Sequence, residues 1–165
     1  MSKLPVLGIL IFTLILSACE PSLTTGASIE VRDAWARAAT AVDMSGQETM
    51  ATKESASMEG MGSVSAAYMI LHNKRTTPDR LLRVESEVAE AVELHISEMA
   101  GDVMTMRPID FIEVPPNGEV EVKPGGIHIM LIGLKRDLRP GDKIPLVLVF
   151  ENAGEISVEA EVRSP

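Results

Sequence analysis

Thioether and imidazole side chains make up most of the soft-metal chemistry this sequence can offer. The chain has 10 methionines, three histidines and a single cysteine. The stretch "GIHIML" places His128 and Met130 two residues apart, so on a strand they project from the same face, roughly 7 Å apart. In "VMTM", Met104 and Met106 repeat that spacing, and in "AVELHI", His95 stands opposite in parity to Val92, Leu94 and Ile96. Imidazole serves copper, zinc, iron and nickel, whereas thioether sulfur selects Cu(I) over zinc or calcium. A neutral set of two His and two Met suits a monovalent ion. The bland reading stands beside this one: a lone His is commonly a hydrogen-bonding residue, and a strand Met commonly fills core. His72, in "LHNK", reads as an ordinary turn residue.

These side chains need strands to present them, and the sequence supplies strands almost throughout. "IEVRDAWARA", "SAAYMILHN", "RLLRVESE", "AEAVELHISEMAG", "DVMTMRPID" and "IHIMLIGL" are short strand-like segments. "FIEVPPNGEVEVKPGG" holds two short strands around a Pro-Pro-Asn-Gly turn, and "IPLVLVFENAGEISVEAEVRS" holds two more around Asn-Ala-Gly. Spacings of roughly ten residues between turn signals predict an all-β sandwich or barrel. Trp35 is expected to anchor the end of the first strand in the core. Residues 39–63 break the pattern: small and polar residues dominate, with Met44, Met50, Met58 and Met61. This reads as a Met-rich insertion, expected to be mobile, within a domain spanning 28–163.

Composition narrows the function classes. A chain of 165 residues with formal charge -9 suits one domain and offers no basic patch for nucleic acid. The N-terminal "MSKLPVLGILIFTLILSAC" has an early lysine, a short apolar run and small residues, the form of a secretory signal over residues 1–18. Its ending, "LSAC", resembles the lipobox of bacterial lipoproteins, which makes Cys19 the lipidated residue at the head of a tether over 19–27. An exported protein, lipid-anchored on the extracytoplasmic side, is the expectation. The single cysteine allows no internal disulfide and no blue-copper thiolate. No Ser-His-acid arrangement stands out, so an enzyme is not expected.

The spacing carries a family resemblance. His95 is followed by ten residues and Met106, then by twenty-one residues and His128-Ile-Met130. With the surrounding "VELH", "VMTMRPI" and "VKPGGIHIMLIGLKRDLRPGDKIPLVLVFE", this resembles the PCuAC family of extracytoplasmic copper(I) chaperones over most of the domain. The resemblance implies a cupredoxin-like Greek-key β-sandwich and a surface site holding one Cu(I) per chain through His95, Met106, His128 and Met130. It implies a monomer that delivers copper to a haem-copper oxidase subunit, at its binuclear electron-entry site, directly or through another copper assembly protein. Met104 reads as packing, as a support behind the ligands, or as an occasional ligand, and Met44, Met50, Met58 and Met61 as auxiliary weak ligands. A periplasmic copper buffer or resistance protein is the runner-up function. A metal-free structural β-sandwich lipoprotein is the third.

Overall fold

A computed structural model describes residues 28–41, 63–101 and 103–164. Among them there is no helix, and ten strands follow one another along the chain. They are β1 (Ile29–Arg37), β2 (Val64–Asn73), β3 (Asp79–Glu85), β4 (Ala89–Ala100), β5 (Val103–Pro108), β6 (Ile112–Val114), β7 (Glu119–Val122), β8 (Ile127–Leu134), β9 (Lys143–Phe150) and β10 (Gly154–Arg163). The expected signal over 1–18, Cys19, the expected tether over 19–27, and Met44, Met50, Met58 and Met61 lie outside the described residues.

The strands join in the order β5-β4-β8-β2-β1-β10-β9-β3-β6, with β7 also paired to β2. Only β1 and β10 run parallel; the other pairings between strands are antiparallel. This is the all-β, cupredoxin-like sandwich that the sequence led us to expect. β2 makes the closure possible: Val64–Ala67 pair with β8, and Met69–His72 pair with β7. One strand therefore serves two neighbours on the same side.

Period-2 patterning builds the core. In β9, Ile144, Leu146, Leu148 and Phe150 point inward while Lys143 and Pro145 point out. Leu71, Leu81, Ile129 and Leu131 meet them, all essentially without solvent contact. Each such side chain contributes about 1.5–3 kcal/mol by leaving water. The face of β8 that carries Ile129 and Leu131 is thus committed to the core, which sends His128 and Met130 to the opposite face.

Trp35 departs from expectation. It is half-buried, and Ala36 takes the core position instead. The register against β2 shifts by one between Arg32 and Trp35, and Asp33 adopts φ 47°. This is a β-bulge, with Asp33 in the left-handed conformation that Asp tolerates better than most residues. The extra residue reverses the parity of the strand's second half. Trp35 consequently lies against Tyr68, ring centroids 4.5 Å apart, with the Arg163 guanidinium 5.9 Å from the indole.

The ends of the Met-rich insertion are tied to the sandwich. Ala39 bridges to Leu138, and the Ala41 N–H donates to Asp137. That bond, with the Arg139 guanidinium, holds the Asp137 carboxyl below its usual range. Ser63 accepts the Leu134 N–H at its carbonyl and donates from its hydroxyl to the Leu134 carbonyl.

Candidate metal centre

The site forms where β5, β4, β8 and the first half of β2 lie side by side. Register places its residues on one face. His95 on β4 stands directly opposite His128 on β8, and Glu93 opposite Met130. Met130 is also opposite Ala66 of β2. On the other flank of β4, Met106 stands opposite Ser97, and Met104 opposite Met99. Paired residues in a ladder share a face, as do residues two apart on one strand. His95, His128, Met130, Met106, Met104 and Met99 are therefore all presented to the same side, as strand parity led us to expect for the pairs within each strand.

The imidazole rings lie 5.8 Å apart, centroid to centroid. Each ring has one nitrogen spoken for. The His128 Nδ1–H donates to the Gly126 carbonyl at 2.9 Å, and the same carbonyl accepts the Ser97 N–H at 3.0 Å. Both lone pairs of that oxygen are used, so the turn that launches β8 also fixes the ring. Gly125, in that turn, has φ 73°, a conformation that a residue with a Cβ adopts only under strain. The His95 Nε2–H donates to Glu93 Oε2 at 2.8 Å. These bonds define the tautomers: the lone pair is left on Nε2 of His128 and on Nδ1 of His95.

The His95 Nδ1 is buried and has no hydrogen-bond partner. A buried acceptor without a donor costs roughly 1–3 kcal/mol. A metal ion would satisfy it, and the Glu93 carboxylate on the far nitrogen is the usual device for orienting a metal-binding imidazole. Among the described residues no three His, Cys, Asp or Glu come together as a metal cluster. The available donor set is two imidazole nitrogens and thioethers, which fits a soft monovalent ion and not a hard divalent one.

Burial divides the set. His95 and His128 are 6% exposed and Met130 4%, whereas Met106 is 46% exposed. The surface site implied by the family resemblance is thus a half-buried one. A cleft of about 260 Å³ reaches it, walled by Ser65, Ala66, Tyr68, Pro124, Met106 and Met104. Burial pushes the Tyr68 phenol above its ordinary value, against the opposing pull of the Arg37 guanidinium, which lines the same cleft. Met104 is 59% exposed, so the expectation that it packs is not met; among the described residues β5 lies at the edge of the strand order. Met99, at 63% exposed, joins the same face and was not singled out from the sequence as a ligand. Only the hairpin register, Met99 against Met104, reveals it. His72 stays apart, on β2 opposite Glu30 of β1.

Similarity to known proteins agrees with this fold. A family model described as "Putative lipoprotein LpqE-like" matches residues 29–162. An uncharacterized protein of Rickettsia prowazekii (strain Madrid E) is 30% identical over 106 residues, 64% of this chain and 59% of the relative. The chain spans about three fifths of the length of the curated relatives it matches. Among solved structures, the copper-bound PCuAC domain from PmoF2 is 27% identical, with a TM-score of 0.60 covering 84% of this chain and 94% of that one. The solution structure of the Cu(I) form of DR1885 from Deinococcus radiodurans is also 27% identical, with a TM-score of 0.53 covering 81% and 78%.

Proposed function

The chain belongs to the LpqE-like lipoprotein family and shares the PCuAC fold, and from that we propose that it is an extracytoplasmic Cu(I)-binding metallochaperone. One observation carries the reading. Two buried imidazoles, each with one nitrogen held by the protein and the other left with its lone pair, share a strand face with Met130 and Met106.

In this reading His95 Nδ1, His128 Nε2, and the Met130 and Met106 thioethers hold one Cu(I) per chain. The ligands are neutral, so the bound ion keeps its single charge and is not driven towards Cu(II). The single cysteine, Cys19, is the expected lipidation site and not one of these ligands, so the set lacks the thiolate of a blue-copper centre. The copper is cargo. It leaves when an acceptor's ligands replace the thioethers one at a time, starting from the exposed Met106. The protein itself carries out no bond-making chemistry and no turnover.

The acceptor in this reading is the copper-bearing subunit of a haem-copper oxidase, reached directly or through another copper assembly protein. A lipid on Cys19 would keep the chaperone at the membrane, on the extracytoplasmic side. Mixing the Cu(I)-loaded chain with the soluble copper-bearing domain of an oxidase checks the delivery step: its binuclear centre should gain copper and its characteristic visible absorption in the presence of an electron acceptor. Anaerobic Cu(I) titration against a competing chelator checks the site. Binding should be lost when Met106 and Met130 are both replaced by Leu; unchanged binding would remove the assignment.

A further inference from the structure

Six large apolar side chains are exposed among the described residues, and three of them are methionines: Met99, Met104 and Met106. All three lie on the β4–β5 hairpin, and all three lie on the face that carries His95. Val103, the hairpin's other exposed apolar residue, alternates to the opposite face. The exposed large side chains that continue this face outward along the hairpin are therefore thioethers.

Their register brings them within reach of one another. Met99 and Met104 are directly paired across the ladder, where Cβ atoms lie about 4.5–5.5 Å apart. Met106 is two residues along β5 from Met104 and diagonal to Met99, a separation of about 7–8 Å. Methionine has three rotatable side-chain bonds, so three sulfurs at these spacings can converge on one ion. Exposed methionines leave apolar surface in water, and a purely structural role would place them inward, as Met69 is placed.

We infer that Met99, Met104 and Met106 form a second, all-thioether Cu(I) site at the mouth of the cleft, with Met106 shared between it and the buried site. Three soft neutral donors and no imidazole bind Cu(I) more weakly than the buried set. The outer site therefore fills second at equilibrium and serves as the way in and out. Because Met106 belongs to both sites, the ion can move between them without being released to water. The cleft supports this path, since Met104, Met106, His128 and Met130 line it together. The inference rests on the chaperone reading above.

The test is methyl NMR of the full-length chain, labelled at the methionine Cε, through an anaerobic Cu(I) titration. The first equivalent should shift Met106 and Met130 and leave Met99 and Met104 in place. The second should shift Met99 and Met104 and move Met106 again. The double variant Met99→Leu with Met104→Leu should lose the second shift of Met106 and retain the first. Both positions are exposed, so Leu leaves the fold intact. A second equivalent that moves only Met44, Met50, Met58 or Met61, or none of the methyls, overturns the outer site alone. If the first equivalent fails to move Met106 and Met130, the buried site and the chaperone reading fall, and the outer site with them.

Discussion

The two halves of the candidate copper site are built on opposite principles. On β4 and β8, flanked by paired strands, His95, His128 and Met130 are buried and the two rings are fixed by hydrogen bonds. On β5, the edge strand among the described residues, Met104 and Met106 are exposed. The inner half is preorganised, so little ordering remains to be done when an ion binds. The outer half keeps its side-chain freedom, so its ligands can be exchanged. A protein that must both hold copper and surrender it needs both kinds of ligand on one ion.

If the inner half sets affinity, its loss should have the largest effect. His95→Gln and His128→Gln should each weaken Cu(I) binding by more than about 100-fold, the upper end of what losing a partner outside the ligand set costs. Chelator competition under argon reads this directly. A decrease no larger than that caused by Met106→Leu would erase the distinction between the halves.

The orientation of His95 comes next. Glu93→Ala removes the acceptor at Nε2 and should lower Cu(I) affinity by about 10–100-fold. In the metal-free protein, long-range proton–nitrogen correlation should show His95 protonated at Nε2 in the wild type and redistributed in the variant. Glu93→Gln keeps an oxygen acceptor and should restore both. An unchanged tautomer in Glu93→Ala would mean that burial, not the carboxylate, fixes the ring.

The outer half should show smaller effects, mainly on rates. Met106→Leu should raise the rate of Cu(I) release to an acceptor chelator more than it slows uptake, because affinity changes among related complexes lie mostly in dissociation. Met130→Leu, whose side chain is buried, should lower affinity further. An equal response from the two would argue against the burial gradient. The smallest effect belongs to Met104→Leu on folding: thermal or denaturant stability should change by less than about 0.5 kcal/mol, as for other exposed positions. A larger loss would mean that Met104 packs after all.

Much of the inner half could be read from residue types alone. "IHIMLIGL" alternates so regularly that its face assignment survives folding, and the ten-strand succession follows the turn signals. The spacing from His95 to Met106 and on to His128 and Met130 led to the family and hence to the sandwich. What stayed hidden depended on neighbours distant in sequence. Parity places His95 off the core face, yet its burial and its place directly opposite His128 follow from the pairing of β4 with β8, strands distant in sequence. Trp35 was misplaced because one left-handed Asp33 reverses the alternation, and no residue pattern announces a bulge there. Met99 lies off the family spacing and matters only once the hairpin register sets it against Met104.

X-ray absorption on the protein loaded with one equivalent of Cu(I) counts the neighbours of the ion, and so distinguishes the mixed imidazole and thioether site from any other. Two nitrogen and two sulfur scatterers are expected, from His95, His128, Met106 and Met130. A shell containing only sulfur, or one containing nitrogen and oxygen without sulfur, would contradict the account.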